Sequence, residues 1–219
     1  MGQTVQGGDA GDTERPRPHF PPHFGSPRRS RREPHHNFQE MTISLTVPDV
    51  LVARAKTGDL EALEALYRAF EAPVYNLARR MLRNAEDAED VLQETFLEVV
   101  RSIGQYRGEG HLWGWIRQIA ATKALMRIRR EQVREAEVFD EAIMAGRAGH
   151  NVGQALDLER AMQELSDTGR AVVWLHDVEG YTHEEIAEMM GKSVSFSKSQ
   201  LARAHTKLRR TLGAGMEVG

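Results

Sequence analysis

The stretch from Glu179 to Arg210 limits the fold of this chain more than any other. Thr182 and Glu185 have the spacing of a reciprocal capping box, and Tyr181 and Ile186 that of a hydrophobic staple. Ile186, Ala187 and Met190 would form the buried side of a short helix, and Gly191 supplies the left-handed residue that ends it. Ser193 offers the next cap. Leu201, Ala204, Leu208 and Leu212 then recur at three and four, so one face of a second helix turns inward. Lys198, Arg203, Lys207, Arg209 and Arg210 occupy the rest, and no acid occurs from Ser193 to Leu212. Two helices at a tight turn, the second charged only by bases, have the form of a helix-turn-helix reader of duplex DNA, against the plainer possibility of a solvated basic helix closing a bundle.

Upstream the pattern is also helical. Asp49 is placed to cap a short helix over Val50 to Lys56. Asp59 would cap a longer one with Leu60, Leu63, Leu66, Tyr67, Phe70, Val74, Leu77 and Met81 inward, broken or kinked at Pro73. Asn84 caps a third, with Asp87 at the capping-box position. Its inner stripe is Ala88, Val91, Leu92, Thr95, Phe96, Val99 and Ile103, and its other side carries Glu86, Asp87, Glu89, Asp90, Glu94 and Glu98. Acids in the first turn suit the helix dipole. These continue for several turns, and Asp87, Asp90 and Glu94 align at i, i+3 and i+7, a stripe suited to a basic partner surface. A glycine-rich loop, Tyr106 to His111, leads into a helix reaching Arg130, where Trp113 and Trp115 stand among Arg117, Lys123, Arg127, Arg129 and Arg130. Aromatics interleaved with bases suit the holding of unstacked nucleotides; at least one of the two tryptophans is expected to fill the core instead.

Composition sets outer limits. The chain has 219 residues, room for one or two small domains, and its net charge of -3 is unevenly distributed. It lacks cysteine, which excludes a disulfide framework or thiolate metal site and fits a reducing cytosol. Without an apolar run of membrane-span length or a signal-peptide pattern, a cytoplasmic protein is expected. Residues 1–42, rich in Gly, Pro, Arg and His, read as a disordered tail. Glu131 to Gly153 reads as a flexible linker with one helical turn near Val138 to Ala145; roughly two dozen residues reach about 80 Å when extended. Leu156 to Leu165 and Gly169 to Val178 form two further helices. The expected fold is all-α, with a tail over 1–42, a helical domain over 43–130, a linker over 131–154 and a helix-turn-helix domain over 155–214.

In this order of acidic helix, aromatic-basic helix, linker and helix-turn-helix, the chain resembles the extracytoplasmic-function (ECF) sigma factors, the smallest members of the sigma-70 family of bacterial RNA polymerase. Leu51 to Asp59 and Ala62 to Tyr67 are similar to the family's opening helices. Asp87 to Phe96 is similar to its core-binding signature, Trp115 to Ala120 to its promoter-melting helix, and Tyr181 to Gly191 with Ser193 to Arg210 to its upstream-element reader. The resemblance implies a protein with no catalytic residues, cofactor or metal that directs core polymerase, through the beta-prime and beta subunits, to promoter DNA. It implies docking by Asp87, Asp90, Gln93, Glu94 and Phe96. It implies that Tyr106, Arg107, His111, Trp113, Trp115, Arg117, Lys123, Arg127 and Arg130 read and hold the minus-ten element, and that Ser195, Phe196, Lys198, Ser199, Gln200, Arg203 and Lys207 meet the minus-thirty-five element. Gln200 would pair with adenine and Arg203 with guanine, while Lys198, Lys207 and Arg209 take phosphates. An anti-sigma factor would be a separate protein.

The chain departs from the family pattern at Thr122 and Met126, where many relatives carry Asn and Asp, and at Ser197, where an apolar anchor is expected. A stand-alone helix-turn-helix regulator would explain Thr182 to Arg210 but leave the acidic and tryptophan-bearing helices without a role. A hydrolase using His176, His183 and Glu184 lacks the His-Glu-x-x-His spacing of a helical zinc site.

Overall fold

The computed structural model describes residues 47–108, 111–138 and 156–215. The expected tail over 1–42 and the expected turn from Val138 onward to Ala145 lie outside these, apart from Val138 itself. Among the described residues the regular elements are all helical. One bundle is α1 (Asp49–Lys56), α2 (Leu60–Met81), α3 (Ala85–Ser102) and α4 (Leu112–Val138); the other is α5 (Leu156–Glu164), α6 (Asp167–Val173), α7 (His183–Met190) and α8 (Val194–Gly215).

Helix starts follow their caps. Asp59 accepts from the Ala62 N–H at 3.2 Å and Asn84 from the Asp87 N–H at 2.6 Å. Pro48, not Asp49, caps α1, which places the Asp49 carboxylate inside the first turn, where it still suits the dipole. Pro73 does not break α2, which runs on to Met81. An interior proline costs about 3 kcal/mol. Phe70 and Val74, on either side of it, are fully buried, and burying a large apolar side chain returns roughly 1.5–3 kcal/mol each. Tertiary packing therefore overrides the local breaker. Helix α4 also outruns expectation, continuing past Arg130 into the segment expected as linker; there the Gln132 amide donates to Thr168 Oγ1 at 2.7 Å.

Helix α4 joins the two bundles. Leu112, Ile116, Ile119 and Ala120 form one buried side, and Ala121, Ala124, Leu125 and Ile128 extend the burial around a second. It packs on α2 and α3 and also on α6 and α7. The small alanines permit that second approach. One apolar core results, in which Leu66, Phe70 and Val74 are continuous with Leu165, Val172, Leu175 and Tyr181.

Polar contacts close the junction. Arg83 donates to Asp167 Oδ1 at 2.7 Å and to the Leu165 carbonyl at 2.8 Å. Arg170, 4% exposed, donates to the Met81 carbonyl from Nε and Nη2 at 3.2 and 3.1 Å. Burial pushes the Arg170 pKa down, against the pull of Asp167 2.9 Å away.

Candidate nucleic-acid interface

Helices α7 and α8 form a helix-turn-helix. Thr182 and Glu185 cap reciprocally, Glu185 N–H to Thr182 Oγ1 at 3.2 Å and Thr182 N–H to Glu185 Oε2 at 2.8 Å. Gly191 ends α7 at φ 60°, ψ 38°, a left-handed conformation that a Cβ disfavours. The Phe196 N–H donates to Ser193 Oγ at 3.2 Å at the start of α8. Leu201 and Ala204 are buried beneath α8, with Leu208 and Leu212 partly so. Ser195, Lys198, Ala202, Arg203, Thr206, Lys207, Arg209 and Arg210 are exposed, which gives an outward side of bases and small residues. Phe196 is half-buried, with the Lys192 ammonium 5.8 Å from its ring centre. Ser199 turns its hydroxyl to the Phe196 carbonyl at 2.9 Å. Gln200 is half-buried, and Lys207 donates to the Glu164 carbonyl.

Ser197 is fully buried, and its hydroxyl meets His183 Nδ1 at 2.9 Å. The polar residue at an expected apolar position thus has a polar partner. His183 also stacks on His176 with ring centres 4.4 Å apart. Burial, then His176 and Lys198, push the His183 pKa down. Among the described residues no cluster of His, Cys, Asp and Glu could hold a metal ion.

In the first bundle the expected docking acids turn toward α4. Arg127 pairs with Asp87 and, at 2.9 Å, with Asp90; Lys123 lies 3.9 Å from both Glu94 and Glu98, and Arg130 3.7 Å from Glu94. Burial opposes the Arg127 charge, but Asp87 and Asp90 outweigh it and raise its pKa. Phe96 is 8% exposed and sits edge-on to Tyr67 at 4.7 Å, so its ring belongs to the core. The outward side of α3 instead carries Glu86, Glu89, Gln93, Leu97 and Val100, all exposed.

The expected minus-ten residues divide among three surroundings. Lys123, Arg127 and Arg130 face α3, as above. Trp113 stacks on Phe70 at 5.9 Å with planes 4° apart, while Trp115 leans on Tyr106 at 5.4 Å; both tryptophans are half-buried. Arg107 and His111 are exposed. Arg117 faces the second bundle, paired with Glu179 Oε2 at 3.0 Å and donating to the Glu179 carbonyl at 3.2 Å. Its guanidinium lies 4.8 Å from the centre of the Tyr181 ring. Burial pushes the Tyr181 phenol up to about 12.

The open side of α4 carries Trp115, Thr122, Met126 and Arg129, which recur along one line of the helix; Met126 is 40% exposed and Arg129 exposed. Arg129 stands in the sequence among a run of bases, and it shares one line of α4 with Thr122 and Met126.

Two family profiles match the chain, "Sigma-70 region 2" over residues 66–134 and "Sigma-70, region 4" over 155–208. The ECF RNA polymerase sigma factor SigM of Mycobacterium tuberculosis strain H37Rv is 31% identical over 163 residues, covering 74% of this chain and 83% of SigM. The RNA polymerase sigma factor CarQ of Myxococcus xanthus is 34% identical over 164 residues, covering 73% and 94%. Among solved structures, the sigma factor RpoE in complex with the anti-sigma factor NepR, from Bartonella quintana, shares the fold with a TM-score of 0.50. It is 20% identical, with 68% of this chain and 96% of that one covered.

Proposed function

Because this chain belongs to the extracytoplasmic-function sigma factors of the sigma-70 family, we propose that its two bundles divide promoter recognition between them. The chain is an alternative sigma factor that initiates transcription with RNA polymerase. The body over 43–130 docks on the beta-prime and beta subunits and reads the minus-ten element, that over 155–214 reads the minus-thirty-five element, and the intervening segment tethers them. The chemistry is the polymerase's; this chain supplies recognition and strand opening, in the cytoplasm at the nucleoid.

The observation that carries the reading is the outward side of α8, where Lys198, Arg203, Lys207, Arg209 and Arg210 are exposed on a fully capped helix-turn-helix. Such a helix fits the major groove. Arg203 reads guanine, Gln200 adenine, and the flanking bases take phosphates; Ser195, Phe196 and Ser199 line the entry. On the first bundle, Asp90, Gln93 and Glu94 form the edge of a docking surface that the exposed Leu97 and Val100 extend, with Asp87 orienting Arg127 and Phe96 supporting from beneath. Tyr106, Arg107, His111, Trp113, Trp115, Arg117, Lys123, Arg127 and Arg130, joined by Arg129, hold the opened minus-ten strand. A flipped base costs a few kcal/mol of unstacking, which such contacts offset. A separate anti-sigma factor is a further partner.

The test is reconstitution. The purified chain mixed with bacterial core RNA polymerase should elute as a complex and start RNA at a defined subset of a genomic promoter library. The double substitution Asp90→Lys and Glu94→Lys should abolish the complex while the helical circular dichroism persists. A complex formed undiminished by that variant would refute the docking assignment.

A further inference from the structure

Behind α8 lies a polar network that the promoter reading does not use. It begins at a π-helical turn, Trp174–Val178, closed by the Glu179 N–H donating to the Trp174 carbonyl at 3.0 Å. Such turns are rare and frequently sit at functional sites. This one aims His176 and Asp177 at the helix-turn-helix. One Asp177 carboxylate oxygen meets His176 Nδ1 at 2.7 Å, and the other meets His205 Nε2 on α8 at 2.6 Å. The His176 ring stacks on His183 of α7, whose Nδ1 meets the buried Ser197 hydroxyl of α8 at 2.9 Å.

Helix α8 is therefore held at two points. Ser197 lies near its N-terminal end, among the residues from Ser195 to Arg203 that would face DNA. His205 lies roughly 12 Å further along the axis, at about 1.5 Å per residue. The two points differ in their surroundings. The turn contributes His176 and Asp177, α7 contributes His183 and Glu184, and α8 contributes Lys198 and His205. A proton on His205 meets a carboxylate, and that bond becomes charge-assisted. A proton on His183 enters a half-buried site beside the His176 ring and the Lys198 ammonium. Burial and those two neighbours prevail there over Glu184 and Asp177, so the folded helix-turn-helix disfavours that proton.

We propose that this network positions the reading end of α8, and that protonation of His183 releases that end while Asp177 and His205 keep the far end anchored. Acidification then weakens reading of the upstream promoter element and leaves polymerase docking and the minus-ten contacts, which belong to the other bundle, in place. His183, His176, Asp177 and His205 are positioning residues, acting through α8 rather than on DNA. This rests on the reading of α8 as the minus-thirty-five helix.

Holoenzyme assembled from the full chain and core polymerase is measured on a promoter identified by the reconstitution. Affinity is compared at pH 7.5 and pH 5.5 for that promoter and for one with its upstream element scrambled. The ratio of the two affinities isolates α8, because general effects of pH on polymerase and on phosphate contacts cancel. For the parent it should fall several-fold at the lower pH. His183→Gln can keep a hydrogen bond to Ser197 but takes up no proton in this range, so its ratio should stay at the parent's pH 7.5 value. Ser197→Ala loses only a hydroxyl and should show a lowered ratio already at pH 7.5, with little further fall. A parent ratio above one and equal at both pH values would overturn the proposal and leave the promoter reading standing. An equal fall in His183→Gln, or parental behaviour in Ser197→Ala, would overturn it too. A parent ratio of one at both pH values, or no complex with core, would overturn the promoter reading and the proposal together.

Discussion

Ser197 and His183 account for each other. A serine at a buried position of α8 would be costly alone; with His183 in the first turn of α7 it shares one hydrogen bond of 2.9 Å. The pairing makes stability depend on pH in a definite direction. The folded His183 pKa lies below its ordinary 6.5, because burial, His176 and Lys198 outweigh Glu184 and Asp177. The unfolded chain thus binds more protons just below that ordinary value, so stability rises with pH through this window. The contribution is complete above about 6.5 and is lost as the pH falls through and below it. Thermal unfolding followed from pH 7.5 to 5.5 should show a larger drop in midpoint for the parent than for His183→Gln. Equal drops would mean that His183 takes up its proton as readily in the fold as in the unfolded chain.

Between α3 and α4 a row of acids meets a row of bases. The pairs are partly exposed; Asp90 and Arg127 side chains retain 45% and 32% of their surface. Solvent screening holds such a pair to about 0.2–1 kcal/mol. A double-mutant cycle of Asp90→Asn and Arg127→Gln should therefore give a coupling near 1 kcal/mol or less by denaturant unfolding, and Asp90→Asn should weaken polymerase binding by much more. At α7 the local signals are stronger. Thr182→Ala removes one half of a reciprocal cap and should cost about 1 kcal/mol, with hydrogen exchange of the α7 amides rising first. These elements also show what sequence conveys. The caps at Asp59, Asn84 and Thr182, the Gly191 turn and most of each inner stripe involve residues three or four apart and are legible, whereas Asp49 lies inside α1 rather than capping it and Leu60, expected inward, is exposed. The acid stripe on α3 was legible as a stripe, but not its direction: periodicity says which residues share a side of a helix, not which neighbour that side meets. That α2 continues through Pro73 rather than breaking there is not legible for the same reason, since the packing that carries it through comes from other helices.

The whole molecule is organised by contacts that no local pattern announces. Arg83 and Asp167 are 84 positions apart, and Arg170 and Met81 are 89. The sequence divided the chain into two helical bodies, and the all-α fold has that form, yet nothing in either half revealed that the second caps the end of α2. Leu165 tests the shared core. It is 1% exposed, and Leu→Ala at a buried site costs about 2–5 kcal/mol. Leu165→Ala should lower hydrogen-exchange protection in α2 as well as in α8; loss confined to the second bundle would mean that the bundles unfold independently.

That the two halves of this interface belong to one covalent chain has a consequence in mass action. Docking between tethered partners is unimolecular, with an effective concentration fixed by the connecting segment, in the millimolar range for short flexible connections. Diluting the protein a thousandfold leaves the docked fraction unchanged, whereas an inhibitor supplied as a separate molecule would dissociate. Only a competitor for the same surfaces, not a change in abundance, can alter the docked fraction.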